Sequence, residues 1–172
     1  MVRTQVADRP TDSRAEFAGR RAGSLLEIDA WIRSEIGAIS PLVERLMRLI
    51  EGSHCIPGEE AAVELALREA LNNAVVHGNR QNARKLVHVR CRCKVGEEIS
   101  LIVSDQGQGF DTHAIPNPVA VENLEAEHGR GIHLMKLAMD EVSFEQRGTE
   151  VRMCKRQARN ARPGIRRDSG GF

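Results

Sequence analysis

Three short segments of the 172-residue sequence combine carboxylate, amide and glycine residues at spacings that suit ligand chemistry. In the first segment, Glu69, Asn73 and His77 recur at every fourth position, so on a helix they share one side. A carboxylate and an amide oxygen one turn apart can hold a hydrated Mg²⁺, which prefers oxygen ligands and keeps several waters. The carboxylate can instead accept a proton from an incoming hydroxyl group. Taken alone, the pattern also fits an ordinary solvated helix face.

The second segment begins at Asp105, directly after a predicted strand, and contains Gly107 and Gly109. The two glycines allow the backbone to approach a ligand closely. The Asp105 carboxylate can accept hydrogen bonds from an exocyclic amine such as that of adenine. A dinucleotide-binding loop is excluded, because no strand–helix–strand unit follows. The alternative is a plain glycine-rich turn.

The third segment, Gly129-Arg130-Gly131, precedes a predicted helix. Glycines at a helix N-terminus expose backbone N–H groups, and this end of a helix attracts anions such as a triphosphate. Arg130 can add a charge-assisted contact to the same anion. The sequence contains no GxxxxGK[ST] motif, so this is not a P-loop. A flexible entry into the helix is the alternative.

Hydrophobic periodicity predicts the elements that must position these segments. The alternation is clearest in the strand 85–95, where valine and cysteine face one way and histidine, arginine and lysine the other. The segment 106–127 has no periodicity and is predicted to be a lid. The order of elements predicts an α+β fold. Strands are predicted at 25–32, 85–95, 99–104, 142–145 and 150–155, and helices at 40–52, 57–77 and 131–139.

Composition narrows the function. With 25 basic and 24 acidic residues and only 3% aromatic residues, the chain lacks the basic excess and the stacking platforms of nucleic-acid binders. The sequence has no run of 18 or more apolar residues, so no membrane-spanning helix is predicted. The polar N-terminus lacks the apolar stretch of a secretory signal, so we expect a cytoplasmic protein. From the composition and the missing apolar run, we expect no direct binding to nucleic acid or to a membrane.

The chain is predicted to hold one domain, at residues 23–156. Residues 1–22 are polar and residues 157–172 are rich in arginine and glycine, so both are expected to be flexible. The four cysteines are too few at recognised spacings for a zinc site. We expect them to be small buried apolar residues.

In their order along the chain, ExxxN on a helix, DxGxGF after a strand, a lid and GxG opening a helix resemble the N, G1 and G2 boxes of the GHKL (Bergerat-fold) ATPases. The likeness extends over roughly residues 25–155. Within that superfamily, the segments 69–78, 129–135 and 139–142 are similar to those of the RsbW-like anti-sigma-factor serine/threonine kinases. The resemblance implies a two-layer sandwich, with a mixed, mostly antiparallel sheet and helices on one face.

The resemblance also implies roles for individual residues and two cofactors, ATP and Mg²⁺. Glu69 would be the catalytic general base, Asn73 would ligate Mg²⁺, and Asp105 would bind adenine. The remaining implied nucleotide-binding residues are Gly107, Gly109, Gly129, Arg130, Gly131 and Thr149.

The function that the resemblance implies is partner switching. The protein would be an ATP-dependent serine/threonine kinase that phosphorylates a STAS-domain antagonist, sequesters a sigma factor, and forms a homodimer.

Two alternatives stay open. The chain can be a nucleotide-binding switch that transfers no phosphate, or a GHKL kinase that regulates a pathway without a sigma factor.

Overall fold

A computed structural model of the chain describes residues 16–110 and 127–158. The predicted lid is therefore described only at residues 106–110 and 127, and residues 1–15 and 159–172 also lie outside the described part. The strands are β1 (Glu16–Ala22), β2 (Leu25–Arg33), β3 (Leu86–Lys94), β4 (Glu98–Ser104), β5 (Glu141–Glu145) and β6 (Glu150–Arg156). The helices are α1 (Ile39–Gly52), α2 (Glu60–Asn72), a π-helical turn (Asn73–Gly78) and α3 (Glu127–Ala138).

The six strands form one sheet in the order β1-β2-β3-β4-β6-β5, and each of the five pairings is antiparallel. Residues that face each other across the ladder share one side of the sheet. The row Ile28, Cys91, Leu101 and Met153 is buried in this way beneath the helices, and its neighbours along each strand face outward. This arrangement confirms the predicted α+β fold with helices on one face.

Helix α2 lies in the middle of the helical layer, in contact with both α1 and α3. Its fully buried residues include Val63, Leu67 and Leu71, which recur at a spacing of four and face the sheet. Packing of this apolar stripe fixes the rotation of the helix about its axis. Glu69 and Asn73, near its C-terminal end, are therefore fixed on the flank that faces α3.

Several predicted boundaries were wrong. Residues 16–22 were expected to be flexible, but they form β1, which joins β2 through a two-residue turn at Gly23 and Ser24. Gly23 has a φ of +60°, a value that hairpin turns require and glycine adopts freely. Helix α3 begins at Glu127 rather than at Gly131, so Gly129 lies in its first turn and Gly131 in its second.

The expectation for the cysteines was right for Cys91 alone, since Cys154 is only partly buried and the other two are bonded to each other. Cys55, in the loop between α1 and α2, forms a disulfide with Cys93 of β3, 38 residues away. Cys91 is a buried apolar residue as expected, and burial raises the pKa of its thiol to about 12. Within the described residues, no cluster of three or more His, Cys, Asp or Glu side chains can hold a metal, and no helix is long and apolar enough to cross a membrane.

We expect the protein to be less stable when the Cys55–Cys93 disulfide is reduced. Closing a loop of 38 residues corresponds to about 4 kcal/mol in the chain-entropy model. We expect dithiothreitol to lower Tm by roughly 10 °C, as measured by calorimetry. The Cys55→Ser/Cys93→Ser double variant is the control, and its Tm should not respond to the reductant. Four titratable thiols in the denatured, unreduced protein would contradict the bond.

Candidate functional site

Glu69 and Asn73 lie one turn apart at the end of α2, both half-buried, with α3 against them. The closest approach is made by Gly131. A Cβ at Gly131 would lie 2.7 Å from Glu69 Oε2 and 3.5 Å from Asn73 Oδ1. The backbone of α3 therefore lies close to a carboxylate and an amide oxygen, and a side chain at position 131 would displace the carboxylate.

The π-helical turn leads from this pair to a second group of polar atoms. It starts at Asn73 and ends at Gly78, and the Asn79 N–H donates to Ala74 O over 2.8 Å. Single π-helical turns are rare and often occur at functional sites. In this protein the turn carries Asn73 at one end and packs Gly78 against Asp105 at the other.

Asp105 is held from three sides at the end of β4. Its N–H donates to Thr149 O over 2.9 Å, and its Oδ1 accepts the Gly107 N–H over 2.6 Å. Gly78 covers the carboxylate so closely that a Cβ there would collide with it. The position of this carboxylate is thus fixed by backbone atoms from three separate segments.

The pKa of the Asp105 carboxyl is raised above its ordinary value of 3.8. The largest cause is burial, which disfavours the charged form. The hydrogen bond from Gly107 and the positive charge of Lys85 both oppose this effect. Asp105 is therefore a carboxylate whose ionised form is costly in the folded protein.

The glycine loop after Asp105 rests on the turn between β5 and β6. A Cβ at Gly107 would collide with Gly78 O, and a Cβ at Gly109, which has a φ of +77°, would collide with Arg147 O. The Phe110 N–H donates to the same Arg147 O over 3.0 Å. Thr149 follows this turn, and its Cγ2 also lies near Gly109. The loop therefore needs glycine at both positions, because the backbone packs too closely there to leave room for a Cβ.

The structure thus brings the predicted site residues into two neighbouring groups joined by the π-helical turn. One group holds Glu69, Asn73 and Gly131, and the other holds Asp105 with Gly107, Gly109 and Thr149. Gly129 and Arg130 lie in the first turn of α3, where Arg130 is exposed. His77 belongs to neither group and is exposed on the π-helical turn.

Sequence reasoning missed Glu150, whose side chain is only 3% exposed. Its carboxylate accepts hydrogen bonds from Ser104 Oγ at 2.9 Å and from Gln146 Nε2 at 3.2 Å, and it pairs with Arg152. It therefore ties the end of β4, just before Asp105, to the turn that supports the glycine loop. The only sequence signal is its place opposite Ser104 in the ladder, which appears once the strand register is known.

The raised pKa of Asp105 predicts how stability depends on pH. A raised folded-state pKa means that protonation favours the folded state, and this contribution is lost as the pH rises through that pKa. The Asp105→Asn variant keeps the acceptor for Gly107 but cannot ionise. We expect its Tm to equal or exceed that of the wild type at pH 7, with a difference that shrinks toward pH 4, by calorimetry across this range.

The same variant tests the adenine contact implied by the resemblance. Loss of a buried charge-assisted hydrogen bond should weaken ATP binding by about 10- to 150-fold in calorimetric titration. Glu44→Gln, an exposed change on α1, is the control for both measurements. A variant that melts below the wild type at neutral pH would show that the carboxylate stabilises the fold and would contradict the burial argument.

Comparison with known proteins gives relatives of modest identity. The serine-protein kinase RsbW of Staphylococcus epidermidis is 31% identical over 99 residues, which cover 54% of this chain and 62% of that protein. RsbW of Bacillus licheniformis is 35% identical over 101 residues, with the same coverage of 54% and 62%. The anti-sigma F factor of Clostridium novyi (strain NT) is 30% identical over 99 residues, which cover 55% and 68%. The matched region spans less than two thirds of the two RsbW proteins.

The family model described as a histidine kinase-like ATPase domain matches residues 32–155, nearly the region over which the sequence resembles the GHKL ATPases. This match contains both groups of site residues and all of the sheet except β1 and most of β2. Because it extends over well over half of the chain, the protein belongs to the histidine kinase-like ATPase domain family.

Proposed function

We propose that the protein is an ATP-dependent serine/threonine kinase that also acts as an anti-sigma factor. The observation that carries the proposal is the close approach of Glu69 Oε2 and the Asn73 amide to Gly131 of α3. A proton acceptor would then lie beside an oxygen ligand suited to Mg²⁺, at the helix where the family resemblance puts the phosphates.

The residues present fit a nucleotide. A side chain at Gly107 or Gly109 would collide with backbone, and one at Gly131 would meet the Glu69 carboxylate. At all three positions the fold therefore presents bare backbone to the site. Backbone N–H groups and glycine are the usual means of approaching phosphates. Asp105 would accept the exocyclic amine of adenine, with Thr149 beside it, while Gly129, Arg130 and Gly131 would face the phosphates.

The donor set also fits Mg²⁺. The Asn73 amide oxygen is a hard neutral ligand, and Mg²⁺ commonly takes only one or two protein oxygens together with phosphate oxygens and waters. Asn73 would therefore be the protein ligand. The metal, when bound, neutralises phosphate charge; positioning and charge neutralisation account for most of the catalysis of phosphoryl transfer.

Glu69 would act on the proton of the incoming hydroxyl. As the hydroxyl oxygen of the substrate serine or threonine forms its bond to the γ-phosphorus, the bond from that phosphorus to the leaving oxygen of ADP breaks, and the hydroxyl proton passes to the Glu69 carboxylate. The carboxylate is half-buried and lies close to Gly131 of α3.

The proposed partners follow from the relatives, which are named serine-protein kinase and anti-sigma F factor. We propose a STAS-domain antagonist as the protein substrate and a sigma factor as the sequestered partner. The cytoplasmic location, the homodimer and the lack of direct nucleic-acid binding stay predictions. A pull-down with mass spectrometry tests the pathway, since a sigma subunit should be among the captured proteins. Its absence would favour a GHKL kinase of another pathway.

The substitution Glu69→Gln separates a kinase from a pure binding module. It preserves size but removes the proton acceptor. We expect ATP affinity to stay within about threefold, while transfer of radiolabelled phosphate to a serine-bearing STAS partner falls at least about 100-fold. The matched control is Glu64→Gln, on the same helix but paired with Arg68 at the surface, which should leave transfer unchanged. Full transfer by the Glu69 variant would remove this residue from the chemistry, and no transfer by the wild type would favour the binding module.

Gly131→Ala tests the contact itself. The new Cβ would lie 2.7 Å from Glu69 Oε2, the mobile end of a side chain, so the carboxylate should shift while the fold survives. Alanine also favours a helix over glycine by about 1 kcal/mol, so Tm should hold or rise. We expect phosphate transfer to fall by about tenfold or more.

The control for this variant is Gly52→Ala at the end of α1, where a Cβ meets no atom within 4 Å. Wild-type transfer by the Gly131 variant would show that the position of the Glu69 carboxylate does not matter.

A further inference from the structure

We infer that Asn79 is a positioning residue that sets the place of Asp105 and its glycine loop. The inference rests on the proposed function, because its readout is nucleotide binding. Asn79 follows the π-helical turn and is only 1% exposed. In the sequence it reads as no more than a stop signal after a helix.

The side-chain amide of Asn79 links the start of β3 to the segment just after β4, where the β3–β4 ladder has already ended. Its Nδ2 donates to Leu86 O over 3.0 Å, and its Oδ1 accepts the Gln106 N–H over 2.9 Å. Leu86 is the first residue of β3, and Gln106 follows Asp105. One buried side chain therefore holds the π-helical turn, the start of β3 and the loop after β4 together.

The strand register shows what this amide replaces. The β3–β4 ladder ends with His88 opposite Ser104, and a continued ladder would put Leu86 opposite Gln106. A hydrogen-bonded antiparallel pair at this position would exchange two backbone hydrogen bonds. Instead, Asn79 stands between the Gln106 N–H and Leu86 O, and the Gln106 side chain accepts the Leu86 N–H through Oε1 over 3.0 Å.

The consequence is a separation of the two strands at Asp105. Two side-chain amides satisfy three of the four backbone groups that a continued ladder would have paired, namely the Leu86 N–H, Leu86 O and the Gln106 N–H. The chain therefore leaves the sheet after Ser104 with these three groups still hydrogen-bonded. Asp105 bonds through its own N–H to Thr149 O of the neighbouring turn, and its carboxylate meets Gly78, the residue before Asn79. Asn79 thus acts on the nucleotide through Asp105.

The substitution Asn79→Ala tests this role, measured as ATP affinity by calorimetric titration at a temperature well below each Tm. It removes both amide bonds and should weaken ATP binding by about tenfold or more. The matched control is Ser34→Ala. Ser34 is fully buried and its Oγ donates to Val75 O over 3.4 Å, so it braces the same π-helical turn away from Asp105. Both variants should lower Tm, but the control should bind ATP like the wild type.

A double-mutant cycle distinguishes positioning from loss of stability. If Asn79 acts through Asp105, the variant Asn79→Ala/Asp105→Asn should bind ATP about as weakly as Asp105→Asn alone. Multiplicative losses in the double variant would overturn the inference, and so would wild-type affinity in Asn79→Ala. If Asn79→Ala does not fold, Gln106→Ala removes the Leu86 link alone and should cost about fivefold in affinity. Unchanged affinity there would also overturn it.

ATP binding by the wild type distinguishes failure of this inference from failure of the proposed function. Wild-type binding of ATP together with undiminished binding by Asn79→Ala would defeat only the positioning role. A wild type that binds no ATP in the presence of Mg²⁺ would defeat both.

Discussion

The half-buried carboxylate of Asp105 is the constraint around which this end of the fold is built. Burial raises its pKa, so its charge is costly, and the chain surrounds it with backbone rather than with side chains. Gly78 and Gly107 have no room for a Cβ beside it. The end of β4, the end of the π-helical turn and the turn before β6 all meet at this one group. A shift in any of them would move the carboxylate or expose it.

The π-helical turn explains why two groups of site residues lie side by side. Helix α2 is fixed by its apolar stripe, which also fixes Glu69 and Asn73. A π-helix has more residues per turn than an α-helix, so residues after Asn73 no longer follow the rotation of α2. For this reason the spacing that puts Glu69, Asn73 and His77 on one side holds for the first two only. The altered rotation delivers Gly78 to Asp105 and leaves His77 exposed.

The features that could be predicted from the sequence are those marked by local hydrophobic periodicity or by glycine. The order of the predicted strands and helices was sufficient for the fold class, and the spacing of polar residues and glycines singled out the segments that the fold brings together. The sequence could not predict β1, because the pairing of this strand with β2 is made by backbone atoms and its residues show no clear apolar alternation. The disulfide between Cys55 and Cys93 and the bridging role of Asn79 were also missed. Each depends on partners far along the chain, which become neighbours only in the folded protein.

The features that oppose stability gather at the candidate site. A glycine within a helix costs about 1 kcal/mol relative to alanine, and α3 carries one at position 131 where it touches Glu69. The charge on Asp105 is disfavoured by its burial, and Asn79 needs both of its amide bonds to be tolerated in the interior. In β2, β3 and β4, buried residues alternate with less buried ones, as ordinary strand patterning requires. Natural proteins depart from these rules mainly where function requires it, so departures that cluster in space indicate a site before any ligand is seen. Here they cluster on two carboxylates and the backbone that surrounds them.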